Sequence, residues 1–191
     1  RSADARIDAV SEGCWRMIRT LFEFVDALPS SVAWRESLNG YVYLLTAHVV
    51  SMGLVAGVIS YWDMRLAGMA LKWIPVSKVQ SGLFPWLFAG TAVNAGTGFM
   101  MVYSQPMRYY PNFWFWLKMG MLVVIAANAA YFHLSIEKTV DQWENDPVAP
   151  LKARVAGYVS LAFWAGVIVT GRMTAYSGLV PQWWIDLGLS N

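Results

Sequence analysis

The stretch YLLTAHVVSMGLVAGVISYWDMRL, residues 43–66, decides the fold. From Tyr43 to Trp62 it carries no Asp, Glu, Lys or Arg, and charge returns only at Asp63 and Arg65. At 1.5 Å per residue, roughly 20 apolar residues cross the hydrocarbon of a bilayer. In that solvent a backbone has to satisfy its own hydrogen bonds, so a helix is the natural spanning element. The stretch also poses the functional question, because it holds His48, one of two histidines in the chain.

Three further runs have the same character. They are Leu83–Gln105, Phe113–Ile136 (interrupted only by Lys118) and Val155–Gly171, which is followed by Arg172, a residue able to reach the interface along its own methylenes. The whole chain of 191 residues is 57% hydrophobic and 14% charged, with a mean hydropathy of +0.41. Soluble domains carry about 25% charged residues, so lipid is the expected solvent. The sequence therefore predicts an all-α integral membrane four-helix bundle within residues 39–176. Its spans are placed at about 40–62, 83–105, 113–136 and 155–172, with Trp and Tyr near their ends as an interfacial belt. Residues 63–82, 106–112 and 137–154 are expected as connections, with Pro75, Pro147 and Pro150 as breakers.

Residues 1–38 read as a polar start followed by an amphipathic interfacial helix. Trp15, Ile18, Phe22 and Val25 recur at helical spacing, with Arg16, Arg19, Glu23 and Asp26 between them. Residues 1–13 are polar and show no cleavable leader at this end. Residues 177–191, with Trp183 and Trp184, read as an interfacial tail. A net charge of +2 and the lack of a basic, aromatic-interleaved stretch argue against nucleic acid as a partner. The single Cys14 excludes an internal disulfide or a cysteine-held cluster. Lys and Arg are balanced across the two sides, so charge does not orient the chain.

Several polar or small residues fall inside the runs. Gly53 with Gly57, and Gly90 with Asn94 and Gly98, form small-residue ridges expected to let helices approach. Asn94 and Asn128 are placed for bonds across helices, and Asp63 and Arg65 for neutralising one another. An ionisable residue within a span is a functional hypothesis by default. His48 reads equally as a haem ligand or as a neutral ring bonded to a carbonyl, Asn or Ser. For His133, near a span end, the structural reading is preferred, though it too is a possible metal ligand. His48 precedes Asp63 by fifteen residues, and Lys118 precedes His133 by the same number. Parallel first and third spans in register would put His48 and Lys118 at one depth, Asp63 and His133 at the other. A His48-centred site with Lys118, Met52 or water opposite follows, with His133 pairing with Asp63 or holding a separate group.

These landmarks carry a resemblance. RESLNGYVYLLTAHVVSMGLVAGVISYWDMRLAGMAL, LFPWLFAGTAVNAGTGFMM and FWFWLKMGMLVVIAANAAYFH together resemble an uncharacterised family of bacterial inner-membrane proteins. Its shared features are Arg-Glu-Ser, a first-span His, Asp-x-Arg-Leu, a Lys opening the third span and a His closing it. The layout is also similar to the copper-resistance D membrane domain and to the four-helix protoporphyrinogen oxidases. The latter resemblance implies a b-type haem near the positions of His48 and Lys118. The several membrane histidines of two-haem cytochromes are missing here.

The function expected from this reading is a membrane redox component. It would relay electrons through haem b between a partner dehydrogenase and quinone, alongside other membrane or periplasmic subunits. The alternative is a cofactor-free accessory or anchor subunit, and a third reading is copper handling through Met52, Met100, Met101 and the histidines. No Ser–His–Asp or paired-carboxylate arrangement lies within the spans, so a subunit or electron carrier is expected rather than an autonomous enzyme.

Overall fold

The computed structural model describes residues 2–176 and 180–186, with side chains described from residue 13 to residue 185. The expected tail thus lies partly outside the described residues, at 177–179 and 187–191. Every regular element among the described residues is helical: α1 (Ser2–Asp26), α2 (Pro29–Glu36), α3 (Gly40–Ala67), α4 (Val76–Ser104), α5 (Pro106–Tyr109), α6 (Phe113–Tyr131), α7 (Leu151–Met173) and α8 (Gln182–Asp186). A π-helical turn, Phe132–Ile136, and a 3₁₀ segment, Glu137–Gln142, continue α6.

Three segments are long and apolar enough to cross a membrane: Gly40–Ala67, Phe113–Gln142 and Leu151–Met173. The expected second span lies in α4, which has the length at 29 residues but carries Lys78, Gln80, Thr91, Asn94 and Thr97 along it. The long helices pack in the order α4, α3, α7, α6. Valines such as Val49, Val50, Val123 and Val169 face outward, as they do where lipid replaces water.

Local chemistry sets the ends. Gly68 adopts a left-handed conformation (φ 72°) and closes α3 by donating its amide to the Arg65 carbonyl. Asn112 caps α6, its side-chain oxygen accepting from the amides of Trp114 (3.0 Å) and Phe115 (3.3 Å). Pro29 and Pro106 sit in the first turns of α2 and α5, where their missing amides cost nothing.

The first connection is shorter than expected. Asp63 and Arg65 do not end the helix: α3 runs on to Ala67 and α4 starts at Val76, because both charged side chains are buried against protein. Pro29–Glu36 forms a short helix of its own, and α7 begins at Leu151, directly after Pro150.

The best-buried apolar cluster lies at this end of the molecule. It joins Trp62 and Leu66 of α3, Val76 and Val79 of α4, Phe132 and Ile136 of the π turn, and Ala153 and Ala156 of α7. At the opposite end, α1 lies across the start of α6. Trp15 meets Trp116 and Trp184 edge-on at 5.3 and 6.0 Å, and Phe22 meets Tyr110 at 5.5 Å. The amphipathic helix therefore caps the helices, and Trp184 is buried beneath it instead of reaching lipid.

Candidate functional site

His48 sits on α3 facing α4, and its surroundings are set by Ser51 on its own helix and by Asn94, Thr97 and Gly98 on α4. Nδ1 lies 3.0 Å from the Asn94 carbonyl oxygen and 3.1 Å from Thr97 Oγ1. A carbonyl only accepts, so Nδ1 carries the proton, and in the neutral ring Nε2 keeps the lone pair. No hydrogen-bond partner of Nε2 is found among the described residues. The return bonds come from Asn94, whose Nδ2 donates to the His48 carbonyl (2.9 Å) and to Ser51 Oγ (3.2 Å). Ser51 Oγ itself donates to the His48 carbonyl at 3.1 Å.

Glycine makes room for the ring. A Cβ at Gly98 would meet His48 Cε1 at 3.0 Å, and one at Gly90 would meet Val55 Cγ2 at 3.0 Å. The small-residue ridge of α4 is thus the packing face that was expected. Gly53 and Gly57 are not: both face outward with nothing within 4 Å, because α3 turns its Val55 and His48 side to α4.

Lys118 approaches from α6. Its Nζ lies over α7, 3.8 Å from where a Cβ at Gly171 would stand, within electrostatic reach of His48. Counted from the helix starts, His48 stands about 12 Å along α3 and Lys118 about 8 Å along α6. No residue of α6 between Phe113 and Tyr131 is fully buried, so Lys118 lies on the looser side of the helix assembly.

His133 belongs to another place. Counting along parallel α3 and α6, His48 stands about 12 Å from its helix start and His133 about 30 Å from its own. One metal or haem is not shared by the two. His133 does not pair with Asp63 either: its Nδ1 is 2.5 Å from Glu137 Oε2, and Glu137 Oε1 accepts from Gln80 Nε2, also at 2.5 Å. The signal was present in the i, i+4 spacing of His133 and Glu137, which sequence reading passed over.

Asp63 and Arg65 do not neutralise one another. Two residues apart on a helix, they point to different neighbours. Asp63, 3% exposed, lies beside Ser160 of α7, and its Oδ2 has no hydrogen-bond partner among the described residues. Gly157 permits this contact, since a Cβ there would stand 2.8 Å from the Asp63 carbonyl oxygen. Arg65, fully buried, donates from Nε to the Ile74 carbonyl (2.9 Å) and from Nη2 to the carbonyls of Glu144 (3.2 Å) and Asp146 (3.1 Å). Asn128 Nδ2 donates to the Ala156 carbonyl at 3.0 Å and ties α6 to α7.

Outside the spans, burial pushes the phenols of Tyr109 and Tyr110 above their ordinary range. Tyr109 also shares a 3.3 Å hydrogen bond with Tyr41. Tyr110 donates to the Trp15 carbonyl at 3.3 Å. No group of three or more His, Cys, Asp or Glu side chains suited to a metal occurs among the described residues.

A model of a family of unknown function, DUF6644, covers residues 36–177. No curated protein and no solved structure matches.

Proposed function

We propose that this chain, which belongs to the DUF6644 family, is a redox component of a bacterial inner membrane, with α4 as its fourth span and His48 as the ligand of a b-type haem. The observation that carries the reading is the tautomer of His48. A metal-ligating histidine almost always donates its other ring N–H to a carbonyl or carboxylate, which fixes the ring and strengthens the free nitrogen as a ligand. His48 has that arrangement, with Nδ1 on the Asn94 carbonyl and Nε2 unengaged. Haem, when bound, would supply one-electron transfer to quinone or a partner subunit. The chain's own part is to hold the imidazole neutral and oriented, through Asn94, Thr97 and the space over Gly98, and to place the Lys118 ammonium within electrostatic reach of it. α4 spans about 43 Å at 29 residues, enough for the bilayer, and its polar positions Asn94 and Thr97 turn to α3.

The test is an absorption spectrum of the full chain purified in detergent after expression with haem supply. A Soret band with α and β bands on reduction is expected, and His48→Ala should remove it while Lys118→Gln shifts it. A colourless wild-type protein overturns the proposal.

A second reading, an anchor subunit, has an observation of its own. Met17, Leu21 and Phe24 line the outer side of α1 at helical spacing and are all exposed, while Trp15 and Phe22 pack inward. Stoichiometric co-purification of a partner without any chromophore, lost in Leu21→Glu, would favour it.

A further inference from the structure

We infer that the groove between the 68–75 connection and the start of α4 is a binding site for one anionic phospholipid. The groove measures about 420 Å³ and is open to the outside. Leu71, Ile74, Val79 and Leu83 give it apolar walls, Tyr61 of α3 closes one side and Lys78 stands at its edge. Gly82 also lines it, and a Cβ built there meets nothing within 4 Å, so the space beside it is open.

Charge decides the occupant. Lys78 is in the first turn of α4, where the helix dipole is positive. Two carboxylates are held at this helix end, Glu144 by Ser77 and Glu137 by Gln80, and none lies within 4.0 Å of Lys78 among the described residues. An apolar trough ending at an unpaired ammonium and a helix N-terminus matches an acyl chain joined to a phosphate. Zwitterionic lipid would bring its own cation to the same spot.

Position and shape agree. The groove lies at the end of α3, a segment able to cross a membrane. Trp73, 88% exposed, projects from the same connection, as aromatic residues do at the headgroup level. Leu71 takes φ 55°, a conformation side chains rarely adopt, and it is a wall of the groove. The nearby Arg65 guanidinium holds the adjoining Ile74 carbonyl, so the wall is fixed from behind.

This site is independent of His48 and needs only the membrane setting. It is tested by native mass spectrometry of the full chain in detergent, titrated with dioleoyl phosphatidylglycerol or dioleoyl phosphatidylcholine. Phosphatidylglycerol should bind at least severalfold more tightly. Lys78→Gln should weaken it about fivefold, the worth of one cation beside an anionic headgroup. Gly82→Leu, which fills the groove without altering charge, should weaken it comparably, whereas Lys72→Gln should not. Equal binding of the two lipids, equal loss in Lys72→Gln, or no loss in Gly82→Leu would each overturn the inference.

Discussion

The imidazole of His48 lies on the bare backbone of Gly98: a Cβ there would stand 3.0 Å from Cε1 and 3.4 Å from Nδ1. Gly96, two residues earlier on α4, has nothing within 4 Å. Gly98→Ala should therefore lower stability by about 1–3 kcal/mol, the usual cost of overpacking, and reduce any haem content. Gly96→Ala should be neutral or stabilising, since alanine is the better helix former. Unfolding in mixed micelles compares the two, and equal melting would show that the ring is not seated on Gly98.

Asn94→Ala removes two bonds donated to α3. Interhelical hydrogen bonds in membranes average about 0.6 kcal/mol and reach at most about 1.7. A loss of about 1 kcal/mol is expected, and Ser51→Ala should contribute little once Asn94 is gone. A double-mutant cycle measures that coupling, and strict additivity would contradict it.

Arg65→Lys keeps the charge and loses the fork. An ammonium does not reproduce the spread of guanidinium donors that reaches Ile74, Glu144 and Asp146 together. Each buried carbonyl left without a donor costs about 1–3 kcal/mol. Limited proteolysis should then cut faster within residues 143–150, and unchanged protection would refute the clamp.

Tyr109 and Tyr110 make the fold sensitive to alkali. Burial raises both phenols above their ordinary value of about 10, so the folded chain holds these protons more tightly than the unfolded one. Their contribution is complete below pH 10 and declines as pH rises beyond it. Tyr110→Phe should flatten the fall in melting temperature between pH 10 and 11.5 relative to wild type.

The apolar runs made the three helices able to cross a membrane legible from sequence, and the spacing of Trp15, Ile18, Phe22 and Val25 did the same for α1. His48, Asn94 and Lys118 were found because polar groups stand out in such runs. Their partners were harder to see. Thr97 and Ser51 are ordinary residues whose importance comes only from facing one another across α3 and α4. Asp63 and Arg65 looked like the end of a helix because charge usually marks water. Here the loop carbonyls of Ile74, Glu144 and Asp146 take water's place, and they come from distant parts of the chain. The groove beside Lys78 likewise depends on how the 68–75 connection folds back, which no periodicity encodes.

The wide turn at Phe132–Ile136 closes through the Glu137 amide on the Phe132 carbonyl, five residues back. It contains one residue more than an α-turn, and one residue is about 100° of rotation. That extra rotation aims Glu137 inward at Gln80 while Phe132 and Ile136 both stay in the core. Excising a single position there would let the segment rewind as ordinary helix and swing the carboxylate away from Gln80. The insertion acts as an angular spacer, setting which way the last part of this helix faces.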